Sequence, residues 1–309
     1  MHKESTVFSA ADGTSLPYIL WTPDTAPKAV LQITHGMTEH ADRYTALAEA
    51  LTAHGIAAAA FDLRGHGRHP ANNRCASLGA DGWNRSLSDM RCFSALLSER
   101  FGQIPHVHLG FSLGSFLLRE YLGTVKDRID GAVIVGTGHQ PPAVLSVMCA
   151  IVKTQMRRVG IDGTTPLIQK LSFETYNTRF KPNRTSFDWL CADNDMLDAY
   201  LADPMCRETI SAGLFYDLLS AMKRTAAPAL YRRYPSIPIL LLSGEDDPVG
   251  DMGRGVKRTE ALLRRADADV RCVLYAGARH DLLHEEANGA AEQVRTQIVD
   301  FILSQSSHT

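Results

Sequence analysis

His106-Val107-His108-Leu109-Gly110-Phe111-Ser112-Leu113-Gly114-Ser115 decides how the rest of the chain is read. Val107 and Leu109 alternate as in a short buried strand. The run then meets Gly110-Phe111-Ser112-Leu113-Gly114, which fits G-x-S-x-G. Phe116, Leu117 and Tyr121 follow at helical spacing, and Gly123 offers a stop. Such a strand, turn and helix project a serine from a strained elbow into a cleft. Room explains the two glycines, because any side chain at 110 or 114 is expected to meet neighbouring backbone. The helix begins just behind Ser112, so its free N–H groups and positive end favour an anion there. Ser112 is the candidate nucleophile. A Gly-rich turn with a chance serine would explain the pentapeptide but not its flanks.

On the N-terminal side, Thr6–Ser9 and Tyr18–Trp21 predict a hairpin around Asp12-Gly13. Ala29–Thr34 reads as a strand running into His35-Gly36. A helix then carries Tyr44, Leu47, Ala48 and Leu51 on one face and stops at Gly55. Ile56–Phe61 is a short apolar run ending at Asp62-Leu63-Arg64-Gly65-His66-Gly67. Trp83, Leu87, Met90, Ser94, Leu97 and Phe101 mark an amphipathic helix closed by Gly102.

Beyond the elbow, Ala132–Val135 is another buried strand. Strands and helices alternate to this point, which predicts a mostly parallel sheet with helices on both faces. From about 139 to 234 the periodicity is helical and no convincing strand occurs. Val144, Leu145, Met148, Ile151 and Val152 make one apolar stripe, and Leu214, Phe215, Leu218, Leu219 and Met222 another. Pro166, Pro182 and Pro204 lie between them and break helices. So long a segment is a helical insertion, not a loop. The core is therefore expected to comprise residues 1–138 and 235–309, with 139–234 inserted. Alternation resumes with strands at Pro238–Leu242 and Val270–Tyr275, a helix near Val256–Leu263, and a closing helix carrying Val294, Ile298, Phe301 and Ile302.

The chain has 309 residues, 45% of them apolar, and a formal net charge of -2. That is enough for one large domain with an insertion or for two ordinary domains, and it gives no electrostatic case for nucleic acid. The N-terminal residues contain no apolar core of signal-peptide length, and no apolar run approaches the roughly 18 residues that span a bilayer. The six cysteines are scattered without C-x-x-C spacing. They read as reduced thiols, and a cytoplasmic location is expected.

A serine hydroxyl needs a base beside it, and the base needs an acid to hold its tautomer. On an α/β-hydrolase sheet the chain order is Ser, then Asp or Glu, then His. Asp247 follows the predicted strand ending Leu242-Ser243-Gly244, and His280 follows Val273-Leu274-Tyr275. Carboxyl ends of parallel strands are where side chains converge on a crevice. Glu245 and Asp246 compete with Asp247. The preference for Asp247 rests on Pro248, which fixes the loop. His284 competes with His280 but is expected to be a solvated residue at the start of the last helix.

The tetrahedral intermediate needs backbone donors. Leu113 N–H is one, and Met37 N–H, in the loop after the early strand, is the candidate for the second. His35 is expected to bond the backbone of that loop. Asp62 and Arg64 are expected to make structural bonds. His106 and His108 share a strand face but lack a third ligand nearby, so no metal is expected.

These residues together resemble the α/β-hydrolase superfamily, and within it the monoacylglycerol lipase and lysophospholipase group, sometimes placed with the serine aminopeptidases. The resemblance is carried by His35-Gly36-Met37-Thr38-Glu39-His40 with Arg43-Tyr44, by Asp62-Leu63-Arg64-Gly65-His66-Gly67, and by Gly110–Gly114. It continues through Gly244-Glu245-Asp246-Asp247-Pro248-Val249 and Gly277-Ala278-Arg279-His280-Asp281. Phe187-Asp188-Trp189-Leu190 and Ala202-Asp203-Pro204 are similar to the cap of bacterial members. The resemblance implies an α/β-hydrolase fold with Ser112 as nucleophile, Asp247 as acid, His280 as base, and Met37 and Leu113 as the oxyanion hole. It also implies a helical cap over an acyl-binding cleft and no cofactor.

Met148, Phe187, Trp189, Phe215 and Tyr216 in that cap suit an apolar acyl chain better than a peptide. An acyl-ester or lipid substrate is expected, with contact to a membrane surface through the cap aided by Lys153, Arg157 and Arg158. Amidase, peptidase and acyltransferase chemistry use the same triad and stay open. A non-catalytic receptor would be expected to lack a triad member. An epoxide hydrolase or dehalogenase would need a carboxylate in place of Ser112.

Overall fold

Apolar runs bounded by glycine, proline or charged turns become the inner strands of one sheet, and the polar, exposed His2–Ser9 one of its edges. The structure, a computed structural model, describes residues 1–69, 75–124, 127–206 and 209–306. The strands are β1 (His2–Ser9), β2 (Ser15–Thr22), β3 (Ala29–Thr34), β4 (Ile56–Phe61), β5 (His106–Phe111), β6 (Gly131–Val135), β7 (Ile239–Gly244) and β8 (Val270–Tyr275). Their spatial order is β1-β2-β4-β3-β5-β6-β7-β8. The β1–β2 and β2–β4 pairs are antiparallel and the others parallel. This is the α/β-hydrolase fold, with the mostly parallel sheet that the alternation predicts.

Register brings the carboxyl ends of the parallel strands to one rim. Thr34 pairs with Gly110, Phe111 with Val135, Val135 with Leu242, and Gly244 with Tyr275. The loops leaving that rim begin at His35, Ser112, Gly136, Glu245 and Ala276. β4 carries four consecutive alanines, good helix formers that here form a fully buried strand. Its place between β2 and β3 overrides local propensity.

Helices cover both faces. On one face lie α1 (Thr45–Ala53) and α8 (Ala290–Ser306), with Leu51, Val294 and Ile298 packed on Leu31, Leu109 and Val133. On the other lie α2 (Gly82–Phe101), α3 (Leu113–Leu122) and α7 (Arg254–Arg264), contributing Phe93, Leu97, Leu117, Tyr121 and Leu263.

Between β6 and β7 come α4 (Pro142–Val159), α5 (Asn194–Ala202), α6 (Ala212–Thr225) and several shorter turns of helix. The segment is helical as predicted, with one exception. Thr209–Ile210 pairs in parallel with Cys75–Ala76. Two residues are too few to carry a period that a sequence reading could detect. Among the described residues, no helix is long and apolar enough to cross a membrane. All six cysteines are unbridged.

Candidate active site

The elbow is tight. Phe111 ends β5, Leu113 begins α3, and Ser112 between them has φ 50° and ψ −114°. A non-glycine residue in such a region typically costs of order 1–3 kcal/mol, and the surroundings must hold it. Here the Ser112 N–H donates to Val135 O at 3.0 Å, and Ser115 N–H donates to Ser112 O at 2.8 Å. A Cβ on Gly110 would sit 2.3 Å from Gly114 O, and one on Gly114 would sit 2.0 Å from Thr34 O. Both glycines are therefore required by neighbouring backbone.

Three side chains converge at this elbow. His280 Nε2 lies 2.8 Å from Ser112 Oγ. His280 Nδ1 lies 3.0 Å from each carboxylate oxygen of Asp247. Asp247 can only accept, so Nδ1 carries the proton and Nε2 is left to accept from the serine hydroxyl. Asp247 is completely buried and also accepts from Val249 N–H at 2.8 Å. Glu245 is exposed and Asp246 half-buried. Burial pushes the His280 pKa down, but the Asp247 carboxylate beside it prevails and the net direction is up. Phe111 and Trp189 flank the imidazole with ring centroids at 5.1 and 5.2 Å.

The loop after β3 reaches the same point. Leu63 N–H donates to His35 Nε2 at 2.9 Å, so Nδ1 donates to Gly36 O at 2.7 Å. His35 thus holds backbone. Met37 and Leu113 both line the cavity at Ser112.

A buried charge network supports this loop, and the sequence reading assigned its members no role. Glu39 accepts from Gly36 N–H at 2.5 Å, from Tyr44 Oη–H at 2.9 Å and from the Arg43 guanidinium. Arg43 also donates to Asp281 Oδ2 at 2.8 Å. Burial works against the charge on Arg43, but Asp281 and Glu39 hold its pKa well above the ordinary value. Charged residues flank both the Met37 turn and His280 in sequence, but nothing local pairs one group with the other.

His284 departs from expectation. It is buried in a short helical turn, Leu282–His284, ahead of α8. Its Nδ1 contacts Asp281 Oδ1 at 2.7 Å and its Nε2 contacts Arg43 O at 2.9 Å. A place at the start of the last helix predicts a solvated ring, but Asp281 and the Arg43 carbonyl hold it inward.

Two cavities meet at Ser112. The larger, about 310 Å³, runs between α3, α4 and α6 and is lined by Phe116, Leu145, Met148, Trp189, Phe215, Leu219 and Met222 among others. The smaller, about 20 Å³, lies beside Thr38, Glu39, Arg43, Phe187, Trp189, Tyr200 and His280. Four of the five substrate-binding candidates, Met148, Phe187, Trp189 and Phe215, therefore line a cavity. Tyr216 lines neither. One residue beyond Phe215 on a helix is a turn of about 100°, and Tyr216 packs instead against the core.

The sequence pattern of the serine aminopeptidase S33 family (Hydrolase_4) matches residues 25–287. The chain belongs to that family. Among relatives of this S33 member, a monoacylglycerol lipase of Mycolicibacterium smegmatis is 25% identical over 304 residues, 96% of each chain. A monoglyceride lipase of Homo sapiens is 26% identical, covering 89% of this chain and 82% of that one. The fold matches a thermostable carboxyl esterase from Bacillus coagulans, solved in complex with glycerol, with a TM-score of 0.87 and 22% identity over 99% of each chain.

Other charged groups of the S33 member serve the scaffold. Asp62 accepts from Ala41 N–H and Arg68 N–H, each at 2.8 Å, and Arg64 binds Asp89 and Asp12. His106 and His108 stack at 4.7 Å within β5, toward the opposite end from Ser112, and their buried ring nitrogens have no hydrogen-bond partner among the described residues. Among the described residues, His40, Asp203 and Cys206 form the group with metal-ligand chemistry, their ligand atoms within 4.8 Å of one another. His40 Nε2 and Asp203 Oδ2 are already hydrogen-bonded at 2.7 Å, and buried Arg43 lies within electrostatic range of the Cys206 thiol. A neighbouring guanidinium opposes a cation, so the group fits a hydrogen-bonded pair better than a metal site.

Proposed function

We propose that this protein hydrolyses carboxylic esters through an acyl-enzyme on Ser112. Oγ attacks the ester carbonyl as His280 Nε2 takes its proton. Asp247 stabilises the imidazolium, and the N–H groups of Met37 and Leu113 face the developing oxyanion. The C–O bond breaks and the alcohol leaves with the proton from Nε2. Water then attacks the acyl carbon, giving its proton to Nε2, and the acid departs as Ser112 regains its hydrogen.

The observation that carries this reading is the 310 Å³ cavity opening at Ser112. No charged side chain lines it among the described residues, so it suits an acyl chain and offers no carboxylate to an amino-peptide's ammonium group. The smaller space is walled by Thr38, Glu39, Arg43 and Tyr200 together with Phe111, Phe187 and Trp189, and on this reading the alcohol leaves on that side. The substrate class this favours is a fatty-acyl ester of a small polar alcohol, of monoacylglycerol or lysophospholipid type.

Residues 139–234 act as a cap over the acyl cavity, and 1–138 with 235–309 form the catalytic core. Val144, Val147 and Ile151 on α4 are exposed in a row, and Val144 also lines the cavity. Lys153, Arg157 and Arg158 are exposed at the end of the same helix. An apolar row beside basic residues suits contact with an anionic lipid surface.

The test is a substrate panel: nitrophenyl esters of increasing acyl length, monoacylglycerols, lysophospholipids and aminoacyl anilides. Turnover that favours acyl esters over anilides supports the reading. Preference for aminoacyl anilides would replace it with a peptidase.

A further inference from the structure

The Gly36-Met37-Thr38 turn is held from outside. Thr38 has φ 66°, a left-handed conformation that a β-branched residue adopts only when its surroundings enforce it. Its hydroxyl donates back to Met37 O. The Tyr200 hydroxyl, 2.7 Å from Thr38 Oγ1, is then the donor in that second bond. Two residues on, His40 Nε2 lies 2.7 Å from Asp203 Oδ2. Tyr200 stands in α5 and Asp203 caps its C-terminus. The Arg43 guanidinium sits 4.9 Å over the Tyr200 ring. At the other end of α5, the N-cap Asp193 accepts from Ala287 N–H at 2.8 Å, in the segment beyond His280. One helix between β6 and β7 is thus fastened to both loops of the site.

We propose that Tyr200 and Asp203 are positioning residues that hold the Met37 N–H toward the oxyanion, so that the hole is complete only while α5 is seated. This rests on the ester-hydrolase reading above. The two side chains bond Thr38, His40 and Met205 N–H rather than the reacting groups. Their effect therefore falls on the transition state, where the oxyanion forms, more than on ground-state binding.

The experiment uses the full chain and a soluble nitrophenyl butyrate, with kcat expressed per active site titrated by a fluorophosphonate. Tyr200→Phe with Asp203→Asn is expected to lower kcat by roughly 10–100-fold, within what loss of one oxyanion donor costs. KM is expected to stay within about twofold. The rate of fluorophosphonate labelling falls in the same proportion, because that reaction also builds negative charge in the hole. Thr38→Val falls likewise, and Thr38→Ser, which keeps the hydroxyl, recovers most of the loss.

A merely structural role would reduce the titratable fraction and leave kcat per site within about twofold; that result overturns the proposal, as does a raised KM with unchanged kcat. If the double variant does not fold, the Thr38→Val and Thr38→Ser pair decides, and equal kcat in the two overturns it. Wild-type protein that neither labels nor turns over esters would remove the ester-hydrolase reading itself, and this proposal with it.

Discussion

Asp246 and Asp247 are adjacent carboxylates, yet only Asp247 faces the imidazole. Asp247→Asn is expected to lower kcat by up to about 10⁴ by favouring the wrong tautomer of His280. Asp246→Asn should stay close to wild type; steady-state kinetics on one soluble ester checks both. The order Ser, Asp, His was legible in the sequence, but the choice of acid was not fully so. That choice depends on how the turn after β7 folds, set by Val249 N–H bonding the Asp247 carboxylate and by Met252 N–H bonding Asp247 O. His280 adds a pH prediction. The base must be neutral to take the serine proton, and its pKa is raised. Activity is therefore full above that pKa and falls as pH drops through it, with the acid limb of kcat/KM above the ordinary histidine value of about 6.5. Asp247→Asn removes the raising charge, so the limb moves to lower pH. A limb unmoved by that substitution would separate the titration from this pair.

The loops after β3 and β8 act as a unit because Arg43 bridges them through Glu39 and Asp281. Arg43→Met leaves two buried carboxylates without their cation. Breaking a buried pair in this way typically costs about 3–5 kcal/mol, and urea unfolding measures it. Arg43→Lys should recover only part, since an ammonium cannot reproduce a planar two-sided fork. A variant as stable as wild type would show that the network contributes nothing. This clamp was not legible, although each of its residues was conspicuous. Charges separated by 238 positions give no periodic signal, and their meeting depends on strand order. The same reasoning explains His284 in part, since the Arg43 carbonyl that its Nε2 meets comes from the other end of the chain. Strands and glycines, by contrast, report local geometry. Gly110 and Gly114 were readable because the clash each avoids lies within the elbow or one strand away.

The molecule as a whole joins the rim that carries Ser112 to a segment whose helices line the larger cavity there. The basic, apolar-edged face of α4 gives a prediction at this scale. Val147→Glu with Ile151→Glu should reduce sedimentation with anionic phospholipid vesicles while leaving turnover of a soluble butyrate ester in place. Equal sedimentation would mean that α4 does not meet lipid. The sheet and its helices were legible because alternation, and its interruption between β6 and β7, persist over tens of residues. The lining of the cavity was legible only in part, since Phe215 and Tyr216 look alike in composition and differ only in helical phase. Everything depends on Ser112 being acylated. The most direct measurement is the intact mass and peptide map of the protein after reaction with a fluorophosphonate. One adduct on the peptide holding Ser112, lost in Ser112→Ala together with ester turnover, is the expected result. Labelling or turnover that persists at the wild-type level in Ser112→Ala would contradict the account.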